Sequence, residues 1–137
     1  MDSRSGKVLD IRPLIPKARV HDNMSMEERF QNQTLRPIIK MQNLLFVAVF
    51  KNYIQKHKGV FYGLSQEKKL VYIEKSIQKD IKFRNSLKGI IIGLFTIEEY
   101  TLYITNSSAL NKRMMNMVIE RLKDRLQLLE EDVLVQQ

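Results

Sequence analysis

Five times along the chain a small polar or acidic residue stands just before an apolar pattern of period three to four: Ser25, Ser65, Asp80, Thr96 and Asn106. Residues of this kind cap helix N-termini, because a side-chain oxygen accepts from a backbone N–H that the helix leaves unpaired. Ser25 is followed three positions later by Glu28, and Thr96 by Glu99, which is the capping-box spacing. A chain punctuated in this way is held to helices. It predicts an all-α fold: a compact helical bundle of about five helices with a Pro-interrupted N-terminal arm.

The apolar positions agree. From Ile38 the set Ile38, Leu45, Val49 and Tyr53, widened by Phe46, Phe50 and Ile54, runs at helical spacing to Lys58, where Gly59 ends it. Pro37 lies inside the preceding pattern and predicts a break or kink near Arg36, since it lacks an N–H and restricts its predecessor. Leu70, Ile73 and Ile77 mark one face of a further helix, and Phe83, Leu87, Ile90, Ile91 and Leu94 the buried face expected of another. Gly89 and Gly93, four apart, point to close helix contact or to termination. Over residues 100–105 a strand rivals the helix, since aromatic and β-branched residues dominate; the Thr96 cap favours the helix. Met115, Val118, Leu122, Arg125 or Leu126, Leu129 and Val133 repeat near 3.5 residues in a long final helix. The expected organisation is an arm over residues 1–24, partly ordered and interrupted by Pro13 and Pro16, and a single helical domain over 25–134.

Residue inventory removes most chemistry. The chain has no Cys and two His, His21 and His57, so thiolate sites are excluded and imidazole chemistry has little material. His57 stands between Lys56 and Lys58 at a helix end, where a solvent-facing or dipole-stabilising role is expected. There is no Glu-x-x-His, no His-Glu-x-x-His, no Gly-x-Ser-x-Gly and no Gly-rich phosphate loop. No cofactor, catalytic residue or metal ligand is therefore expected. The most apolar run, Leu44–Phe50, is seven residues long, against the ~20 a bilayer span needs. With no signal-peptide core either, no membrane span and a cytoplasmic protein are expected.

What remains is charge, and it is uneven. The net charge is +8, but residues 1–29 carry +1, residues 96–137 carry −2, and residues 30–95 carry +9, from twelve basic and three acidic groups. The candidate basic contact face is Lys56, Lys58, Lys68, Lys69, Lys75, Lys79, Lys82, Arg84 and Lys88, interleaved with Tyr53, Tyr62 and Tyr72. Such a face suits an acidic protein, a nucleic acid or an anionic membrane surface, while a solvated lysine surface that confers solubility is the commoner meaning of such a run. The heptad-like helix from Met115 to Val133 could also pair two copies into a homodimer, although intramolecular packing is the commoner fate of so short a seam.

Three stretches carry a family likeness: Glu28-Arg29-Phe30-Gln31-Asn32 with Thr34-Leu35-Arg36-Pro37-Ile38-Ile39-Lys40; Lys79-Asp80 with Phe83-Arg84-Asn85; and Asn106-Ser107-Ser108-Ala109-Leu110-Asn111-Lys112-Arg113-Met114. They resemble a group of small helical bacterial proteins of unassigned function that often carry a glyoxalase label. The resemblance covers roughly residues 8–130 and implies a helical fold; it transfers no catalytic residue. Glyoxalases of one type present His and Glu metal ligands from strands, and those of the other need a Thr-His-x-His-x-Asp-His run, which is absent. The leading expectation is a non-enzymatic protein acting by interaction through its basic surface. A glyoxalase-like metal enzyme and a nucleic-acid-binding module are the alternatives.

Overall fold

The structure, a computed structural model, describes residues 2–15, 20–21 and 23–135, with side chains described as far as residue 130. Among these residues there are helices and no strand. The α-helices are α1 (Ser3–Ile11), α2 (Met26–Phe30), α3 (Arg36–Met41), α4 (Asn43–Lys56), α5 (Gln66–Lys79), α6 (Ile81–Ile92), α7 (Ile97–Tyr103), α8 (Ser107–Asp124) and α9 (Leu126–Val135). A π-helical turn, Gln31–Leu35, joins α2 to α3, and a 3-10 turn, Val60–Gly63, follows α4.

Four of the expected caps form as side-chain bonds. Ser25 accepts from the Glu28 amide, Ser65 from Lys68, Asp80 from Phe83, and Thr96 with Glu99 closes a reciprocal capping box. Asn106 does not cap with its side chain; it donates to Glu27 instead, at 2.9 Å. Residues 97–103 are helix, which settles the helix–strand rivalry there.

The expected count of about five helices is too low, for three physical reasons. First, the arm is not merely a Pro-interrupted strap. Asp2 caps α1 by accepting from the Ser5 amide at 2.8 Å, and Ser5 and Val8 are buried. Pro13 lies just after that helix, while Pro16 lies outside the described residues. Second, the chain around Pro37 stays helical but widens: the Arg36 N–H reaches back five residues to the Gln31 carbonyl. The break comes later, at Gln42, and it re-phases α4. Its buried face is Phe46, Val47, Phe50 and Ile54, leaving Leu44 and Leu45 exposed. Third, the final helix splits at Arg125, whose φ of −108° and ψ of 25° leave the helical region.

The core gathers around Phe50, whose ring lies 5.8 Å from Phe83 and meets Phe61 and Tyr72 edge-on at 6.3 and 6.2 Å. Aromatic pairs of this geometry add stabilisation beyond the area they bury. Helix α5 packs on α6 and α8, and α4 on α8 and α9. Met115, Val118, Leu122 and Leu129 are buried in this same core, so the described part of the seam expected to pair two copies is occupied within one chain. Val133 falls where side chains are not described. No helix among the described residues is long and apolar enough to cross a membrane.

Candidate functional site

The lysines expected to form a contact face are placed by the junction of α5 and α6. Asp80 both follows α5 and caps α6, so the two helices meet at one residue. Lys68, Tyr72, Lys75 and Lys79 recur at spacings of four, three and four on α5, which puts them on one face. Lys82, in the first turn of α6, comes round beside them. Together Tyr53, Tyr72, Lys75, Lys79, Asp80 and Lys82 line an open concavity of about 650 Å³. Lys68, Lys75, Lys79 and Lys82 are exposed. Among the described residues, no carboxylate comes within 4.0 Å of any of these four ammonium groups.

The acid in the middle of this dish is already engaged. Asp80 accepts from the Phe83 amide at 3.2 Å and from the Tyr53 hydroxyl at 3.0 Å. Those two bonds hold its carboxyl below the usual aspartate range. Burial, then the Asp80 contact, pushes the Tyr53 hydroxyl up, and burial does the same to Tyr72, so both rings keep their protons. Tyr53 is sandwiched between Phe83 and His57, with ring centroids 4.0 and 4.1 Å away. His57 is exposed, and its Nδ1 lies 2.9 Å from the Tyr53 carbonyl.

The rest of the expected face does not converge there. Lys56 and Lys58, exposed on either side of His57 where α4 ends, are not among the residues lining the concavity, and Lys58 has a φ of 63°. Arg84 donates to the Gln78 carbonyl at 2.9 Å, and Lys88 is half-buried further along α6. Lys69 is a correction. It is only 8% exposed, its Nζ donates to Glu130 at 2.9 Å, and it stands 5.5 Å from the centre of the Phe61 ring. Sitting one residue along from Lys68, it is turned about 100° towards the core.

A second cationic surface was not legible in the sequence. Arg36 and Lys40 on α3 face Arg113 and Arg121 on α8, with Arg125 at the α8–α9 break, around a cleft of about 780 Å³. The π turn sets this up. Its amides hold two of the guanidiniums: Arg36 Nε donates to Asn32 at 2.8 Å, and Arg113 donates to Gln31 at 2.8 Å. Burial, then the neighbouring charge of Arg125, pushes the Arg121 guanidinium down; Asp124 opposes this, and Arg36 adds to it. Net charge per segment hid the cleft, because three of its five cations belong to the net-acidic last third. The available signal was the spacing of four through Arg113, Met117 and Arg121.

A third cavity, about 590 Å³, lies under α1. At its wall Arg12 makes two bonds to Glu99, at 2.7 and 2.8 Å, and Thr34 donates to Glu99 at 2.7 Å. Arg4 and Arg12 also donate to the carbonyls of Gly93, Leu94 and Phe95, tying the N-terminal segment to the link between α6 and α7.

Among the described residues, no three His, Asp or Glu side chains are placed to hold a metal ion. The fold and its surfaces define an all-helical protein with two separate cationic concavities. Compared with family models, with curated proteins and with solved structures, the chain finds no match.

Proposed function

We propose that this protein works by interaction rather than by catalysis, and that the lysine dish at the α5–α6 junction docks an acidic segment of a partner protein. The observation that carries it is the gathering of Lys75, Lys79 and Lys82, exposed and without a described counter-ion, beside Tyr53 and Tyr72, with Lys68 further along the same face of α5. Ammonium groups on flexible stems suit an extended, multiply charged partner, with long-range attraction raising the encounter rate. The half-buried Tyr72 among them adds rigid contact area at little entropic cost. The titratable groups at the rim are engaged in holding the junction together: Asp80 in a cap and His57 in a ring stack.

The test is fluorescence anisotropy with a labelled polyglutamate peptide and, separately, a labelled single-stranded DNA. The peptide should bind the wild type, weaken as salt rises from about 50 to about 200 mM, and lose roughly tenfold or more in affinity for Lys75→Glu/Lys79→Glu/Lys82→Glu. Unchanged peptide affinity in that variant refutes the dish as the contact. DNA bound more tightly than the peptide replaces the acidic protein with a nucleic acid.

A further inference from the structure

The cleft between α3 and α8 differs from the lysine dish in its chemistry. Four of its five cations are guanidiniums, whose planar forks match the paired oxygens of a phosphoryl group. Among the described residues, no carboxylate lies within 4.0 Å of Arg36, Lys40, Arg113, Arg121 or Arg125. Like charges gathered in this way repel one another, and an anion in their midst would relieve it. The holding bonds to Arg36 and Arg113 come from neutral amides, which orient the forks without cancelling their charge. Burial first, and then this repulsion from Arg125, lower the affinity of Arg121 for its proton.

The lining also carries apolar surface, from the half-buried Ile15 and Met117. Its volume falls in the range of sites that enclose small ligands, about 300–1,000 Å³. Glu120 and Asp124 stand on the α8 side of the same cleft and would repel an extended polyanion running across it. A compact ligand, charged at one end only, avoids them.

We propose that the cleft between α3 and α8 binds an organic phosphate, its phosphoryl oxygens held by Arg36, Arg121 and Arg125 and its body laid against Ile15 and Met117. This site is separate from the dish and does not depend on it.

Calorimetric titration of the full chain with ADP, inorganic pyrophosphate and adenosine tests it. ADP should bind saturably at one site, pyrophosphate more weakly, and adenosine not measurably. Arg36→Gln and Arg125→Gln, both at exposed positions, should each weaken ADP by about tenfold while leaving the melting temperature of the unliganded protein within a few degrees. Lys75→Glu/Lys79→Glu/Lys82→Glu should bind ADP as the wild type does. No saturable binding of ADP overturns the proposal, as does ADP affinity unchanged in both arginine variants. Pyrophosphate bound as tightly as ADP overturns the part assigned to Ile15 and Met117. Loss of ADP binding in the lysine variant moves the site to the dish.

Discussion

Replacing Glu99 by Gln strikes a place where the end of α1, the π turn and α7 are held by a single side chain. Its carboxylate takes four bonds: from Arg12 at 2.7 and 2.8 Å, from the Thr34 hydroxyl at 2.7 Å and from the Thr96 amide at 2.8 Å. The side chains of Arg12 and Glu99 are 8% and 17% exposed, so water compensates little if the pair is broken. Gln turns one acceptor into a donor that faces donors on every side, and leaves the Arg12 charge buried without its counter-ion. Breaking a buried pair from one side costs about 3–5 kcal/mol, whereas an exposed pair is worth about 0–1. With a urea slope of about 2 kcal/mol per M, the unfolding midpoint of Glu99→Gln should fall by roughly 1.5–2.5 M. A fall worth less than about 1 kcal/mol refutes the claim that this pair is buried and tightly coupled.

The same carboxyl has a pH signature. Burial pushes it up, but the Arg12 bonds, the Thr96 amide, the Thr34 hydroxyl and the Arg12 charge outweigh burial and hold it below the ordinary glutamate range. A depressed folded-state pKa contributes stability above the unfolded value, about 4.3, and that contribution is lost as pH falls through the folded value. Urea midpoints measured from about pH 6 down to about pH 3 should therefore fall faster for the wild type than for Glu99→Gln, so that the two curves converge in acid. Curves that stay parallel across that window count against the pairing.

Two further expectations separate local from tertiary causes. Gly89→Ala should stabilise by about 0.5–1 kcal/mol in thermal melts, because an added Cβ in mid-α6 meets nothing within 4 Å; Gly59→Ala, at a φ of +68°, should destabilise by about 1 kcal/mol. Lys69→Glu should cost about 3 kcal/mol by chemical denaturation, since it buries a carboxylate against Glu130, while Lys75→Glu should stay within about 0.5 kcal/mol of the wild type.

The parts of this molecule legible in the sequence are those whose causes are local. A cap is decided within four residues, so Ser25, Ser65, Asp80 and Thr96 could be read directly and all four bond as expected. The heart of the lysine dish was legible for the same reason: Lys75, Lys79 and Lys82 lie within eight positions, on helices joined at Asp80. Helix phase was less visible. Leu45 belongs to the apolar period on paper, yet the break at Gln42 turns it outward and brings Val47 in. Lys69 was misplaced because composition marks it as basic, while only the fold reveals Glu130 and Phe61 beside it. The helix in the arm went unseen because its anchors, the carbonyls of residues 93–95, lie more than eighty positions away.

Pro37 links these failures of local reading to the site they concealed. In a regular α-helix Gln31 and Arg36 would stand about 140° apart, on different faces. Proline cannot donate to the preceding turn and crowds the carbonyl four residues back, which a wider turn relieves. The widened turn, with the Arg36 N–H on the Gln31 carbonyl, brings positions five apart towards one face while keeping Leu35, Ile38 and Ile39 in the core. Arg36 and Lys40 thereby join Gln31 opposite Arg113 and Arg121. Wide turns of this kind cost helix stability and are found mostly where a site needs the geometry they give. The residue that looked like an interruption of the helix is thus the one that lets α3 share a cleft with α8.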